Sequence, residues 1–169
     1  MSLETRSILM RANRLLGASL VEANLVTMDQ LEAANEKLLE LIAGGDPRQS
    51  TLLGILAYDM KVVREDDLLQ HCVDEHATGM IDLRNYDCNE ELRKTLDPDI
   101  CWATWTIPFD REEDFTFVAS AYYLSPAVRT YWEKQLGGKL LWYGTTMEEI
   151  SEFLEKVREE RASQPNPTA

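Results

Sequence analysis

Leu16-Gly-Ala-Ser-Leu-Val-Glu-Ala-Asn-Leu-Val-Thr-Met-Asp-Gln-Leu31 aligns without a gap with Leu53-Gly-Ile-Leu-Ala-Tyr-Asp-Met-Lys-Val-Val-Arg-Glu-Asp-Asp-Leu68, at a constant offset of 37 residues. Leu16/Leu53, Gly17/Gly54, Leu25/Val62, Val26/Val63, Asp29/Asp66 and Leu31/Leu68 correspond. A fixed-period repeat of this size is the signature of one supersecondary unit used twice. Each copy predicts a helix, a tight break, an apolar staple and a second helix. The first break falls at Asn24, a residue type that tolerates the left-handed conformation ending a helix. Thr27-x-x-Gln30 fits a capping box for the helix after it. The second copy has Lys61 and Arg64 at these places, which are weaker choices. Gly17 and Gly54 sit inside helical pattern, where glycine costs about 1 kcal/mol relative to alanine. Their recurrence points to close approach, either of a packed helix or of a ligand.

Downstream of the repeat the period changes. Ala43–Ser50, with its Gly-Gly-Asp-Pro, is a loop between the copies. Asn85–Pro98 reads as a connection with one short helix over Glu90–Leu96, stopped by Asp97-Pro98. Trp102–Phe109 and Phe115–Ala121 are rich in aromatic and β-branched residues around the polar stretch Asp110–Asp114, which predicts a hairpin. Pro108 puts the first of these strands at an edge. Ser125-Pro126 opens a helix that Gly137-Gly138 ends after Leu136. Lys139–Gly144 is a third strand. Thr146 caps a last helix whose buried stripe is Ile150, Phe153, Leu154 and Val157. The expected class is α+β. A helical subdomain over residues 1–84, built from two helix-break-helix repeats, precedes a small β-β-α-β-α subdomain over 85–160. Residues 161–169, with Gln-Pro-Asn-Pro and no apolar face, form a disordered tail.

Thirty acidic residues against 17 basic ones leave a net charge of −13. No basic face for displacing counterions from phosphates is visible, so nucleic acid is not an expected partner. Acid runs such as Asp110–Asp114 read as solvated turns, or as a surface for a basic partner. No run of eighteen apolar residues exists to insert into a membrane, and the start lacks a secretory signal's apolar core. The expected location is the cytoplasm. Cys72, Cys88 and Cys101 form no CxxC pair and read as reduced thiols.

Motifs for chemistry are absent. There is no GxxxxGK[ST], no GxGxxG after a strand and no GxSxG. Cys72 and His76 lie one helical turn apart, but two ligands do not make a metal site. Adjacent turns of one helix also give a Cys–His pair no oxyanion hole. Trp102, Trp105, Trp132 and Trp142 cluster in the β half, either as core or as an exposed docking patch. The chain reads as a non-enzyme without a cofactor.

The paired motif, followed by Asp97-Pro-Asp-Ile, Thr106-Ile-Pro-Phe, Leu124-Ser-Pro-Ala-Val and Trp142-Tyr-Gly-Thr-Thr-Met-Glu-Glu-Ile, resembles the N-terminal domain of type II secretion and type IV pilus assembly ATPases. This is the GSPII_E N-terminal or MshEN-like domain. The resemblance spans about Asn13 to Val157, and the ATPase that follows in the family has no counterpart here. The sequence is either an excised piece or a domain working alone or beside another protein.

The resemblance implies a regulatory or docking role on the cytoplasmic part of an inner-membrane platform protein. It therefore implies a protein partner in an envelope secretion or pilus machine, and a location peripheral to the inner membrane through that partner. It also implies, as the alternative, cyclic di-GMP binding across the two copies. A stand-alone adaptor of unrelated signalling role is the third expectation. The positions equivalent to the family's ligand motif are Arg14, Leu16, Gly17, Asn24, Leu53, Gly54 and Lys61. The family's arginine positions hold Leu15 and Leu52, with Arg14 displaced by one residue, about 100° around a helix. Its second glycines are Asn24 and Lys61, its terminal glutamines are Leu38 and Glu75, and the spacer Leu39–Thr51 is longer.

Overall fold

In the computed structural model, which describes residues 1–163, α1 runs over Leu3–Glu22. The Ser2 side chain caps its start by accepting from Thr5 N–H. The chain turns at Asn24, whose φ is 56°. The Leu25 amide closes the helix end by donating to the Leu20 carbonyl at 2.9 Å. The expected capping box is formed: Gln30 N–H donates to Thr27 Oγ1 at 3.2 Å, and Thr27 N–H donates to Gln30 Oε1 at 2.9 Å. From it α2 runs over Met28–Gly44 and ends at Gly45, φ 79°.

The second copy keeps the same frame. Lys61 adopts φ 54°, Arg64 is the N-cap position, and α4 starts at Glu65, in register with Met28. Lysine at a left-handed position shows that the repeat's geometry overrides residue preference there. Three acidic residues, Glu65, Asp66 and Asp67, fill the first turn of α4 (Glu65–His76), where the helix dipole favours negative charge. The copies differ in their first helices. In place of the long α1, the second copy has α3, Leu52–Gly54, continued by a π turn over Ile55–Asp59. Thr51, in extended backbone at φ −127°, starts α3 and caps it by accepting from Gly54 N–H.

The β half departs from expectation at its entry. α5 spans Glu90–Thr95, and Asp97 then caps a further helix, α6, over Pro98–Thr104, with proline in its first turn. Trp102 therefore belongs to a helix, Trp105 turns the chain at φ 48°, and β2 begins only at Thr106. Burial against α1 decides the conformation of residues 100–104 over their β-propensity. β2 (Thr106–Glu112) and β3 (Phe115–Ser120) form the antiparallel hairpin, with a bulge between Pro108 and Asp110. The turn is shorter than expected, since strand pairing continues to Glu112 opposite Phe115. α7 (Pro126–Leu136) crosses over to β4 (Lys139–Gly144), which lies parallel to β3.

The sheet has four strands rather than three, in the order β1-β4-β3-β2. β1 is Gly79–Met80, and it pairs parallel with Tyr143 and Gly144 of β4. It comes from the helical half, and two residues are too few to carry a periodic signal. β2, with Pro108, is at the other edge as expected. The last helix, α8, runs over Met147–Ser163, so residues 161–163 are helical rather than part of a tail. The Arg161 guanidinium donates to the Leu96 carbonyl at 2.8 Å and to those of Arg93 and Lys94 at 3.1 Å. The rest of the expected tail, 164–169, lies outside the described residues.

A single apolar core joins α1, α2, α3, α6, β2, β3, α7 and α8. The expected stripe of α8, Ile150, Phe153, Leu154 and Val157, is buried in it. Trp102, Trp105 and Trp132 are buried too, while Trp142 is half-exposed. Among the described residues no helix is long and apolar enough to cross a membrane.

Candidate functional site

The motif-equivalent residues separate into two groups. Leu16, Gly17 and Leu53 are buried and Gly54 is half-buried. A Cβ on Gly17 would lie 2.6 Å from Leu31 Cδ1 and 3.0 Å from Leu52 Cδ2. One on Gly54 would lie 2.7 Å from Thr51 Cγ2 and 3.6 Å from Met147 Cε. The close approach that both glycines permit is thus filled by the protein's own side chains. Leu52, at one of the arginine positions, is fully buried. Arg14, Asn24 and Lys61 form the second group, all exposed.

Beneath the motif lies a polar knot that sequence reasoning missed. Asn13, buried on the apolar face of α1, accepts at Oδ1 from Leu52 N–H at 2.8 Å and from the Tyr122 hydroxyl at 2.8 Å. Its Nδ2 donates to the Leu9 carbonyl at 2.8 Å. The Tyr122 hydroxyl also lies 2.7 Å from Thr51 Oγ1 and accepts from Leu53 N–H at 3.3 Å. Asn13 thereby supplies an acceptor to the first orphan amide of α3 and Tyr122 to the second, which a helix start requires. Burial pushes the Tyr122 phenol well above its ordinary range, so it stays a donor. The available signal was Asn13 itself, a polar residue among Leu9, Ala12, Leu16 and Leu20.

A second buried polar contact, made by the carboxylate of Glu65, joins the other repeat to α8. It accepts from Met147 N–H at 2.6 Å and from the Tyr58 hydroxyl at 2.6 Å. Desolvation raises its pKa despite both donors. Cys72 is buried, and burial pushes its thiol up to about 11. His76 instead is exposed and lies tilted beside Tyr123, with ring centroids 5.7 Å apart.

On the surface, α1 and α2 leave a groove of about 470 Å³ between them. Met10, Leu38, Leu39 and Ile42 make it apolar, Ser7 and Asn35 line it, and Arg11 and Arg14 stand on its α1 side. Leu38, at the family's glutamine position, is buried there, whereas Asn24 and Lys61 do not line this groove. The arrangement offers contact area and two cations, with no carboxylate, histidine or cysteine among the described residues that line it.

No protein-family profile and no curated protein sequence matches the chain. Among the solved structures that share its fold are two that cover most of the chain. A structure of MshE with cdg superposes with a TM-score of 0.53 at 17% identity, over 84% of this chain and 97% of that one. The N-terminal domain of XpsE superposes with a TM-score of 0.53 at 17% identity, over 92% of this chain and 96% of that one. At this identity the likeness establishes the fold and nothing of the ligand.

Proposed function

We propose that this chain is a domain of the secretion and pilus ATPase N-terminal family, and that it works as a non-catalytic docking module on the cytoplasmic part of an inner-membrane platform protein. The observation that carries the reading is the agreement of nearly the whole chain with the XpsE N-terminal domain, built on the doubled motif. A buried frame that ties both copies to the rest of the chain suits a rigid adaptor. Co-purification of this chain with the cytoplasmic domain of a platform protein encoded beside it tests the reading. A stable complex is expected, and no association by calorimetry or gel filtration overturns it.

The second reading, a cyclic di-GMP sensor, draws on the MshE structure with cdg. It needs a ligand held without the motif glycines, whose faces are filled by Leu31, Leu52 and Thr51. Calorimetry with cyclic di-GMP decides it, and the absence of heat at high micromolar ligand ends it.

A further inference from the structure

We infer that the groove between α1 and α2 is the docking surface itself, and that its occupant is an amphipathic helix of the partner carrying carboxylates beside its apolar face. The inference rests on the docking reading above and adds a place and a chemistry to it.

The apolar part of the case is exposure. Leu39 is 61% exposed and Met10 44%, two large side chains presented on facing helices with Leu38 and Ile42 beneath them. Two packed helices offer ridges and a groove into which a third helix fits, anchored by side chains at successive turns.

The electrostatic part is a reversal of sign. The chain as a whole carries −13, yet none of the groove's lining residues is acidic, and Arg11 and Arg14 are both there. Between Thr5 and Val21, α1 holds Arg6, Arg11 and Arg14 and no carboxylate. Among the described residues neither Arg11 nor Arg14 makes an ion pair, although the protein pairs Arg48, Arg84 and Arg93 with carboxylates of its own. Two free guanidiniums at the rim of an apolar strip select carboxylates flanking an apolar face, and they repel a basic helix.

The test uses the full chain and a fluorescein-labelled synthetic helix with leucines on one face and glutamates flanking them. An otherwise identical helix with lysines for glutamates is the control. Saturable anisotropy with the acidic helix is expected, weakened by salt and reduced about tenfold or more in Leu39→Asp and in Arg11→Glu/Arg14→Glu. All three substituted residues are exposed, so circular dichroism and melting should match the parent's. Absent binding, equal binding of the lysine helix, or binding that survives both variants overturns the assignment. So does capture of phosphatidylglycerol vesicles, or displacement of the helix by cyclic di-GMP, in its place. If the platform complex forms and neither variant weakens it, the docking reading stands and the groove assignment falls. If the variants abolish helix binding but no platform complex forms, the groove stands and the platform assignment falls.

Discussion

Tyr122 and Asn13 meet at 2.8 Å in a fully dry site, the phenol donating to the amide oxygen across 109 residues of sequence. One side chain belongs to the first repeat and the other to the loop after β3, and the amides of α3 in the second repeat are held between them. Both partners are buried, so neither group falls back on water when the other is removed.

Tyr122→Phe should destabilise the fold by about 1–3 kcal/mol, the cost of stranding buried polar partners. Asn13→Ala should cost at least as much, because it strips an acceptor from the start of α3. Urea denaturation of both variants and of the double variant measures this. Additive losses would show that the two side chains act independently, contrary to the shared bond.

Gly17→Leu should cost about 1–3 kcal/mol by overpacking against Leu31 and Leu52. Gly17→Ala should fall near balance, because the helix gains propensity while Leu31 Cδ1 must give way. Gly54→Leu acts by another route, pushing on Thr51 and through it on the Tyr122 hydroxyl. A melting temperature for Gly17→Leu equal to the parent's would place that glycine against open space.

Ile150→Asp should leave no folded protein, because a carboxylate in place of a fully buried side chain loses its hydration within an apolar cluster. Ile150 is a sharper probe than Phe153, over whose ring the Arg93 guanidinium sits at 5.5 Å and would meet an introduced Asp. A soluble, cooperatively melting Ile150→Asp variant would contradict the packing of α8.

Glu65 supplies a pH dependence. Its folded pKa is raised above the ordinary 4.5, chiefly by burial, so the folded chain holds this proton more tightly than the unfolded chain. The associated stability is complete below the ordinary value and is lost as pH rises through the raised one. Glu65→Gln keeps an oxygen for Met147 N–H and does not titrate. Its melting temperature relative to the parent's should therefore climb as pH rises from about 4 towards 7. A constant or shrinking difference would overturn the assignment.

Much of the frame was legible because it repeats. The offset of 37 placed both left-handed turns, at Asn24 and Lys61, and both second helices, even though Lys61 and Arg64 are poor residues for those positions. The hairpin, α7, β4 and the stripe of α8 were legible from period and punctuation. What was not legible depends on distant partners. β1 exists because β4 offers it an edge, and residues 102–104 are helical because α1 covers them. At the motif, sequence alone could not separate a glycine facing a ligand from one facing Leu31 or Thr51. The groove escaped notice because Met10, Arg14 and Leu39 are adjacent only across two helices.

The parallel pairing of Gly79–Met80 with Tyr143–Gly144 also sets when this protein can become native during its own synthesis. The helical half leaves the ribosome first, but its edge strand, its Asn13 and its Glu65 all wait for residues beyond 120. An emerging chain that stops near residue 100 has the repeat's apolar surface made and nothing to close it. Folding should therefore arrive late and as one step, with a loop-closure cost charged before the contacts that offset it. A chain of this kind is exposed to aggregation until α8 is translated, and its solubility on expression should depend on the integrity of α8.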